Sequence, residues 1–310
     1  MGPRIRWERL PTERPNRAAR ALDRLSAAEI AALMNREDRR AVAAVGRVGR
    51  EIAAAVELVV AAFRRGGRLV FVGAGTSGRL GVLEAAECPP TFGTPPRLVQ
   101  AIMAGGRGAV FRSREGAEDD ARAAVRAVRA RVRRGDVVVG VSASGVTPFV
   151  RAALAAARTR GAATVLVACA PGSRRRAAAT LTITPAPGPE VLAGSTRLKA
   201  GTATKLVLNT LTTAAMARLG HVYGNRMVDL QPRSTKLQER AVRLVQELAR
   251  VPHARAQQAL ADSRGRVRVA ILMARSRLDA RTAGRALKEA GGSLRAALQA
   301  SRRTSTSRRT

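Results

Sequence analysis

The sequence predicts an α/β fold: a three-layer domain with helices on both faces of a mainly five-stranded parallel sheet, plus a small all-α C-terminal subdomain. From Gly67 onward, short β-branched runs alternate with Ala-rich helical stretches, the pattern of a parallel sheet buried on both faces. The strand candidates are RLVFVG, RLVQAIM, DVVVGVS, ATVLVAC and TLTITP. Strand patterns cease after about residue 232, and helices are expected near 235–250, 254–262, 266–277, 279–289 and 293–300.

The regions outside the sheet have their own patterns. Residues 1–40 are charged and broken by prolines, which indicates an N-terminal arm. Ala41 to Phe63 places apolar residues three and four apart, which predicts one long amphipathic helix. We therefore expect an α/β domain over 41–231 and a helical subdomain over 232–300. The last ten residues, SRRTSTSRRT, are expected to be a disordered basic tail over 301–310.

Composition narrows the class of protein. With 310 residues, 46% of them hydrophobic, the chain can bury a substantial core. Its apolar runs fall far short of the roughly 20 residues that span a bilayer, and no apolar signal segment follows Met1, so we expect a cytoplasmic protein without membrane contact. The two cysteines and two histidines lack metal-ligand or disulfide spacing, so no metal is expected.

The net charge of +34 suggests nucleic acid as a partner, but its distribution argues against that partner. Arginines are scattered through nearly every predicted helix, and aromatic residues make up only 2% of the chain, too few for base-stacking platforms. We therefore expect no nucleic-acid site.

The first candidate site is the loop after the first predicted strand. RLVFVG runs into GAGTSGRL, so a strand, a glycine turn and a helix start follow one another, as in loops that bind phosphate through backbone N–H groups. The pattern fits neither the dinucleotide fingerprint nor the P-loop, which disfavours NAD and ATP. A glycine turn that only packs strand against helix is the alternative. The candidate phosphate contacts are Gly75, Thr76, Ser77 and Gly78.

Two further stretches carry hydroxyl groups. The loop after DVVVGVS clusters Ser142, Ser144 and Thr147 around Gly145, just before Pro148 opens a helix. Two such loops at the ends of parallel strands suit a phosphomonoester. In GSTRLKAG, Ser195 and Lys199 are candidate contacts to phosphate or hydroxyl groups, with a solvated lysine as the alternative at position 199.

Two carboxylates are candidates for acid–base chemistry. Glu84 and Glu87 share a helix face, and Pro89 with Pro90 predicts that this helix ends near Glu87, where the helix dipole favours a protonated carboxyl. Glu118 lies at or just before a helix amino end, where the dipole favours the ionised form. Carboxyl groups tuned apart supply an acid and a base. The alternative is that the acidic residues of 115–120 only cap that helix.

In this order and spacing, GAGTSGRLGVLEAAECPPTFG, EGAED, SASGVTP, GSTRLKAGTATKLVLN and YGNRMVDLQ resemble the N-acetylmuramic acid 6-phosphate etherases of bacterial cell-wall recycling, which have the sugar isomerase (SIS) fold. The resemblance implies loss of D-lactate from C3 by elimination and then hydration to N-acetylglucosamine 6-phosphate. It assigns the proton donor to Glu87 and the C2 base to Glu118, needs no cofactor, and implies a homodimer. Val146 stands where the family loop has arginine.

Other functions remain open from the sequence. A non-catalytic sugar-phosphate sensor of the glucokinase-regulatory-protein type and an SIS sugar-phosphate isomerase both resemble the chain. The two intact glutamates, Glu87 and Glu118, favour the etherase over the sensor. A DNA-binding regulator would carry a helix-turn-helix ahead of the SIS domain, whereas residues 1–50 predict proline breaks and one long helix.

Overall fold

The computed structural model describes residues 10–173, 179–232 and 234–306. The chain divides into two compact units: Met1–Ala86 with Pro96–Thr212, and Glu87–Pro95 with Thr213–Thr310. The sequence placed this division near residue 231. It falls earlier because the end of a long helix and a short hairpin, both before residue 231, belong with the helical unit.

The first unit contains the predicted sheet, and all five predicted strands are confirmed. They are β1 (Leu69–Gly73), β2 (Val99–Met103), β3 (Val137–Val141), β4 (Ala163–Val167) and β5 (Leu181–Ile183). The strands are parallel, in the order β2-β1-β3-β4-β5. Every residue of β1 and β3 is buried, which explains why these strands read as continuous apolar runs rather than as alternating ones.

Helices cover both faces of the sheet. In the first unit they are α1 (Ala27–Gly46), α2 (Gly49–Arg64), α3 (Gly75–Phe92, whose last turns count with the second unit), α4 (Gly108–Phe111), α5 (Ala121–Arg131), α6 (Pro148–Thr159) and α7 (Lys199–Arg218, which also extends into the second unit). Val70 and Val72 share a buried cluster with residues of α5 and α6, whereas Phe71 meets Gly81 of α3. Neighbouring strand residues point to opposite faces, so these helices lie on opposite sides of the sheet.

The predicted single helix over Ala41 to Phe63 is wrong. α1 ends at Gly46 and α2 begins at Gly49, and two glycines so close together weaken a continuous helix. α1 also begins well inside the expected N-terminal arm. Ser26 accepts a hydrogen bond from the Glu29 amide while Glu29 accepts one from the Ser26 amide, a capping box that fixes this start.

The second unit is mainly helical, and its five predicted helices are present. They are α8 (Thr235–Ala249), α9 (His253–Asp262), α10 (Val267–Ser276), α11 (Ala280–Glu289) and α12 (Leu294–Thr306). α10 is almost wholly buried from Val267 to Ala274 and forms the centre of this core. The hairpin of β6 (Val222–Tyr223) and β7 (Arg226–Met227) was not predicted, because two-residue strands are too short to show an alternating pattern.

The C-terminal tail is partly ordered. α12 continues to Thr306, so the predicted disorder is wrong for 301–306, while 307–310 lie outside the described residues. The same holds for residues 1–9 of the expected arm. In the part of the chain that the structure describes, no helix is long and apolar enough to cross a membrane.

Candidate active site

The two hydroxyl-rich loops follow neighbouring strands. β1 and β3 pair along their whole length, from Leu69–Val137 to Gly73–Val141. The chain leaves β1 through α3 toward β2 on one side, and leaves β3 through α6 toward β4 on the other. In open parallel sheets, the crevice at such a reversal of strand order is where ligands bind, at the carboxyl ends of the strands.

The first loop combines packing with an open surface. A Cβ on Gly78 would lie 2.3 Å from Met103 Sδ and 2.6 Å from the Gly73 carbonyl oxygen, so glycine is required for α3 to approach β1 and β2. Gly75 begins α3 at φ +55°, and a Cβ there would meet nothing within 4 Å. The packing alternative therefore accounts for Gly78. Gly75 is exposed, and Thr76 and Ser77 are half-buried on the first turn of α3, at its positive end.

The second loop is held by its own hydroxyl groups. Ser142 Oγ lies 2.8 Å from Thr147 Oγ1 and accepts a hydrogen bond of 3.1 Å from the Gly145 amide. Ser144 Oγ accepts one of 3.3 Å from the Val146 amide. Ser142 is buried, whereas Ser144 and Thr147 are half-buried. Ser142 therefore organises the loop, and Ser144 and Thr147 are the hydroxyls with surface to offer a ligand.

Gly145 and Val146 explain the tightness of this loop. Gly145 has φ +71°, and a Cβ there would lie 2.3 Å from Ser173 Oγ. The Val146 side chain is 1% exposed. Valine at this position is therefore a core residue of the loop.

Glu118 lies in the turn that precedes α5, as predicted. The N-cap of α5 is Asp120, whose carboxylate accepts a hydrogen bond of 2.8 Å from the Ala123 amide. The capping alternative therefore applies to Asp120. The side chain of Glu118 is exposed. Its backbone is held in place, because the Glu118 carbonyl accepts a hydrogen bond of 2.9 Å from the amide of Phe149 in the first turn of α6.

A cavity of about 160 Å³ brings Glu118 and the first loop together. Gly75 and Glu118 both line it, together with Arg79 and Arg114. Arg79 donates from Nε to the Val110 carbonyl at 2.7 Å and from Nη2 to the Ala109 carbonyl at 2.9 Å, which fixes α4 against α3. The cavity is smaller than the roughly 300 Å³ of a typical ligand pocket, so its volume suffices for only part of a small ligand.

Glu87 does not end its helix, which corrects the sequence prediction. α3 continues through Pro89 and Pro90 to Phe92, and the Gly93 amide donates to the Pro89 carbonyl at 2.9 Å. Proline's fixed φ is a helical value, but each proline removes a backbone donor and crowds the preceding turn, so the helix continues here against the local preference of both residues. The helix-end argument for a protonated Glu87 therefore fails. Its side chain is exposed.

Glu84, one turn before Glu87, is structural. It is buried, and its carboxylate accepts hydrogen bonds from Asn209 Nδ2 and Thr212 Oγ1, both on α7. The two glutamates of LEAAECPP thus have different environments, since Glu84 anchors α3 on α7 whereas Glu87 faces solvent.

Lys199 is also placed differently from the prediction. It is fully buried, and its Nζ lies 2.5 Å from Glu37 Oε2, which also accepts a hydrogen bond from Asn16 Nδ2. We predicted a phosphate contact, with a solvated lysine as the alternative. The structure supports neither, because the Lys199 ammonium is buried and forms an ion pair with Glu37 inside the protein. Ser195, four residues earlier, is half-buried with its amide bonded to the Leu192 carbonyl.

Two buried carboxylates near Lys199, Glu37 and Glu190, were not predicted from the sequence. Glu37 sits in the charged run NREDRR, where nothing distinguishes a buried acid from its solvated neighbours. Glu190 accepts hydrogen bonds from the Lys199 and Ala200 amides at 2.9 and 2.8 Å and so caps the start of α7. Burial raises the pKa of Glu190 even though these amides and the Lys199 charge act to lower it.

Comparison with known proteins identifies the family. The model of the glucokinase regulatory protein N-terminal SIS domain matches residues 51–158, and the SIS domain model matches residues 118–214. The chain is 48% identical over 94% of its length to the N-acetylmuramic acid 6-phosphate etherase of Synechocystis sp., covering 96% of that protein. It is 50% identical over 94% of its length to the etherase of Geobacillus thermodenitrificans, covering 99% of that protein.

A more distant similarity links the chain to a solved structure. A phosphoheptose isomerase from Francisella tularensis aligns with a TM-score of 0.49 at 16% identity, covering 64% of this chain and 98% of that one. The sequence identity to the etherases is about half, and it extends over nearly the whole of both chains. The chain belongs to the N-acetylmuramic acid 6-phosphate etherase family.

Proposed function

We propose that the protein is an N-acetylmuramic acid 6-phosphate etherase, a carbon–oxygen lyase that cleaves the D-lactyl ether at C3 of the sugar. The observation that supports this proposal best is the cavity in which Glu118 and Gly75 meet, in a chain about half identical to etherases over nearly its full length. It places a carboxylate beside the loop expected to hold phosphate. We further expect a cytoplasmic homodimer.

In the proposed reaction, Glu118 is the base. The open-chain sugar has an aldehyde at C1, which acidifies the C2 proton, and a carboxylate can remove it. The electron pair left at C2 forms the C2–C3 double bond as the C3–oxygen bond breaks. Glu87 is proposed to protonate the departing lactate oxygen, because an alkoxide is a poor leaving group. Water then adds at C3 and a proton returns to C2, which gives N-acetylglucosamine 6-phosphate.

Phosphate recognition is assigned to the two loops at the carboxyl ends of β1 and β3. Thr76 and Ser77 contribute hydroxyl groups at the positive end of α3, and Ser144 and Thr147 contribute two more. Ser195 remains a candidate contact. Lys199 is no longer proposed as a contact, since its ammonium is buried against Glu37. Fixing the phosphate positions C2 and C3 for the carboxylates, and such positioning lowers the entropic part of the barrier.

The proposed role of Glu87 as proton donor rests on the resemblance of the ECPPT segment to the etherases. Its exposed side chain is compatible with contact to a substrate, and no other residue on its face of α3 competes for the role, because Glu84 is committed to Asn209 and Thr212.

The decisive experiment measures D-lactate release from N-acetylmuramic acid 6-phosphate by the purified protein, with the unphosphorylated sugar and a Glu87→Gln variant as controls. We expect release that depends on the phosphate and is slowed about 10²-fold or more in the variant, because a general acid contributes about 10² to 10⁴ in rate. A second candidate function follows from the match of residues 51–158 to a regulatory protein's SIS domain. A protein that binds the phosphosugar but releases no lactate would contradict the etherase proposal and establish that sensor function.

A further inference from the structure

The helical unit contains a large cavity that the proposed reaction does not use. Its volume is about 1010 Å³, and its walls come from α8, α9, α10 and α11 and from the segment that follows β7. All the lining residues belong to the second unit, whereas those of the Glu118 cavity belong to the first. A cavity of this size accommodates a molecule as large as a sugar phosphate or a nucleotide.

Positive charge predominates around this cavity. Arg264, Arg266 and Lys288 line it, opposed by the carboxylate of Glu239. Among the described residues, neither the guanidinium of Arg264 nor the ammonium of Lys288 has an ion-pair or hydrogen-bond partner. Asp229, the other lining carboxylate, is paired with Arg268, so among the described residues the cations outnumber the carboxylates left to oppose them. Such an excess of positive charge around an open volume favours an anionic ligand, and arginine suits a phosphate because its fork of N–H groups matches phosphate oxygens.

The histidine that lines the cavity is fixed in orientation. His221 Nδ1 lies 2.6 Å from Asp229 Oδ2, and the other oxygen of Asp229 accepts from Arg268 Nε. Arg268 in turn donates to the carbonyls of Gly220 and Gly292. Asp229 and Arg268 therefore neutralise each other, and Nε2 is left as the hydrogen-bonding atom that His221 can offer a ligand.

Arg264 occupies a backbone position that disfavours it. Its φ of +54° lies in the left-handed region, directly before Gly265 at φ +75°. Glycine and asparagine adopt this conformation more readily at helix ends, so an arginine here strains the backbone. Arg264 therefore lines the cavity from a backbone conformation that arginine rarely adopts.

We propose that this cavity binds a small phosphorylated metabolite, with its phosphate held by Arg264, Arg266 and Lys288. Three glutamine side chains and Glu239 line the same cavity and can pair with hydroxyl groups of the ligand: Gln231, Gln238 and Gln257. The site is independent of the proposed etherase reaction, and it requires no change in covalent bonds.

Histidine NMR tests this proposal with an internal reference, because the chain has only two histidines. His221 lines the cavity, whereas His253 begins α9 and does not line it. The full-length protein, labelled at histidine, is titrated with glucose 6-phosphate, with inorganic phosphate and with sodium chloride at constant ionic strength. We expect the His221 ring signals to shift and those of His253 to stay. The ester should act at lower concentration than inorganic phosphate, because only the ester carries hydroxyl groups.

Two matched variants separate binding from folding. Arg264→Asn removes the cation but suits the left-handed backbone, so it should keep the fold and weaken ester binding about tenfold or more, the scale of a lost charge-assisted hydrogen bond. Arg277→Asn makes the same change at another left-handed arginine, φ +53° at the end of α10, which does not line the cavity. It should bind as the native protein does.

Three results would overturn the proposal. His221 signals that do not move with either phosphate compound would exclude the site. Equal responses to the ester, inorganic phosphate and chloride would mean an adventitious ion only. Arg264→Asn and Arg277→Asn variants with the same affinity would show that the cations of this cavity do not hold the ligand.

Discussion

The amide of Phe149 donates a hydrogen bond of 2.9 Å to the carbonyl of Glu118. Phe149 lies in the first turn of α6, where amides have no partner within the helix, so the bond satisfies one of these amides and holds the loop before α5. The Phe149 side chain is buried in the core beneath the sheet. The backbone of the proposed base is thus fixed to the helix that follows the second hydroxyl loop.

Replacing Glu118 by glutamine should abolish most of the activity. The amide is nearly isosteric but cannot take up the C2 proton, and a general base contributes about 10² to 10⁴ in rate. The matched control is Asp119→Asn, which removes the same charge one residue away, at an exposed side chain that does not line the Glu118 cavity. Rates of D-lactate release should fall in the first variant only. Equal effects would indicate that charge in this loop, rather than the position of Glu118, is responsible.

Isotope exchange separates the proposed base from the proposed acid. In deuterated water, native protein should place deuterium at C2 of the sugar, and Glu118→Gln should not. Glu87→Gln should slow lactate loss while it retains some exchange at C2, because proton removal precedes departure of the ether oxygen. Exchange followed by mass spectrometry gives this comparison. Normal exchange in Glu118→Gln would assign the base to another residue.

Gly145→Ala should disorganise the second hydroxyl loop. Alanine is strained at φ +71°, by about 1–2 kcal/mol, and its Cβ would also meet Ser173 Oγ at 2.3 Å. Gly172→Ala is the control, since Gly172 has φ +84° but nothing within 4 Å of a Cβ. Urea denaturation should show the larger loss for Gly145→Ala, by about 1 kcal/mol or more. Phosphosugar affinity should fall in that variant alone. Equal losses of stability would mean that the contact with Ser173 relaxes freely.

Local patterns predicted the sheet and the positions of the two hydroxyl-rich loops after β1 and β3, because β-branched runs, glycine turns and hydroxyl clusters are properties of contiguous residues. The role of these loops in binding phosphate stays a prediction. The failures concern relationships that contiguous residues do not encode. Glu37 and Lys199 are far apart in sequence, so their buried pair is invisible without the fold. The prolines after Glu87 predicted a helix end, but the helix continues through both of them to Phe92. The break at Gly46 was visible and was outweighed by the apolar spacing on either side of it.

Cys169 should resist modification in the folded protein. Burial raises the pKa of its thiol to about 12, so the reactive thiolate is scarce at neutral pH. Cys88 is likewise buried, at 1% exposure. A thiol-reactive dye at pH 8 should therefore label neither cysteine in native protein and both in urea. Rapid labelling of a Cys88→Ser variant without denaturant would show that Cys169 is accessible.

Lys199→Met should destabilise the first unit severely. It leaves the Glu37 carboxylate, 2% exposed, without its cation, and removing one partner of a buried ion pair costs about 3–5 kcal/mol. The double variant Glu37→Leu with Lys199→Met should recover much of that loss, because no buried charge remains. Urea denaturation of the single and double variants measures both effects. A double variant less stable than Lys199→Met would contradict this account, because it would mean that an unpaired Glu37 carboxylate is not what destabilises the single variant.

The same pair predicts how stability depends on pH. Burial acts to raise the pKa of Glu37, but hydrogen bonds from Lys199 and Asn16 and the charges of Lys199 and Arg40 outweigh it and lower that pKa. A carboxyl with a lowered pKa in the folded state stabilises the protein above its unfolded pKa, near 4.5, and this stabilisation is lost as pH falls through the lower folded value. Glu37→Gln should therefore lose less stability than native protein between pH 6 and about pH 3. Glu190, whose raised pKa has the opposite effect, is common to both proteins and cancels in the comparison. Thermal or urea unfolding measures the free energy of unfolding of both proteins across this pH range. An equal loss of stability in the two proteins would show that the pKa of Glu37 does not change on folding.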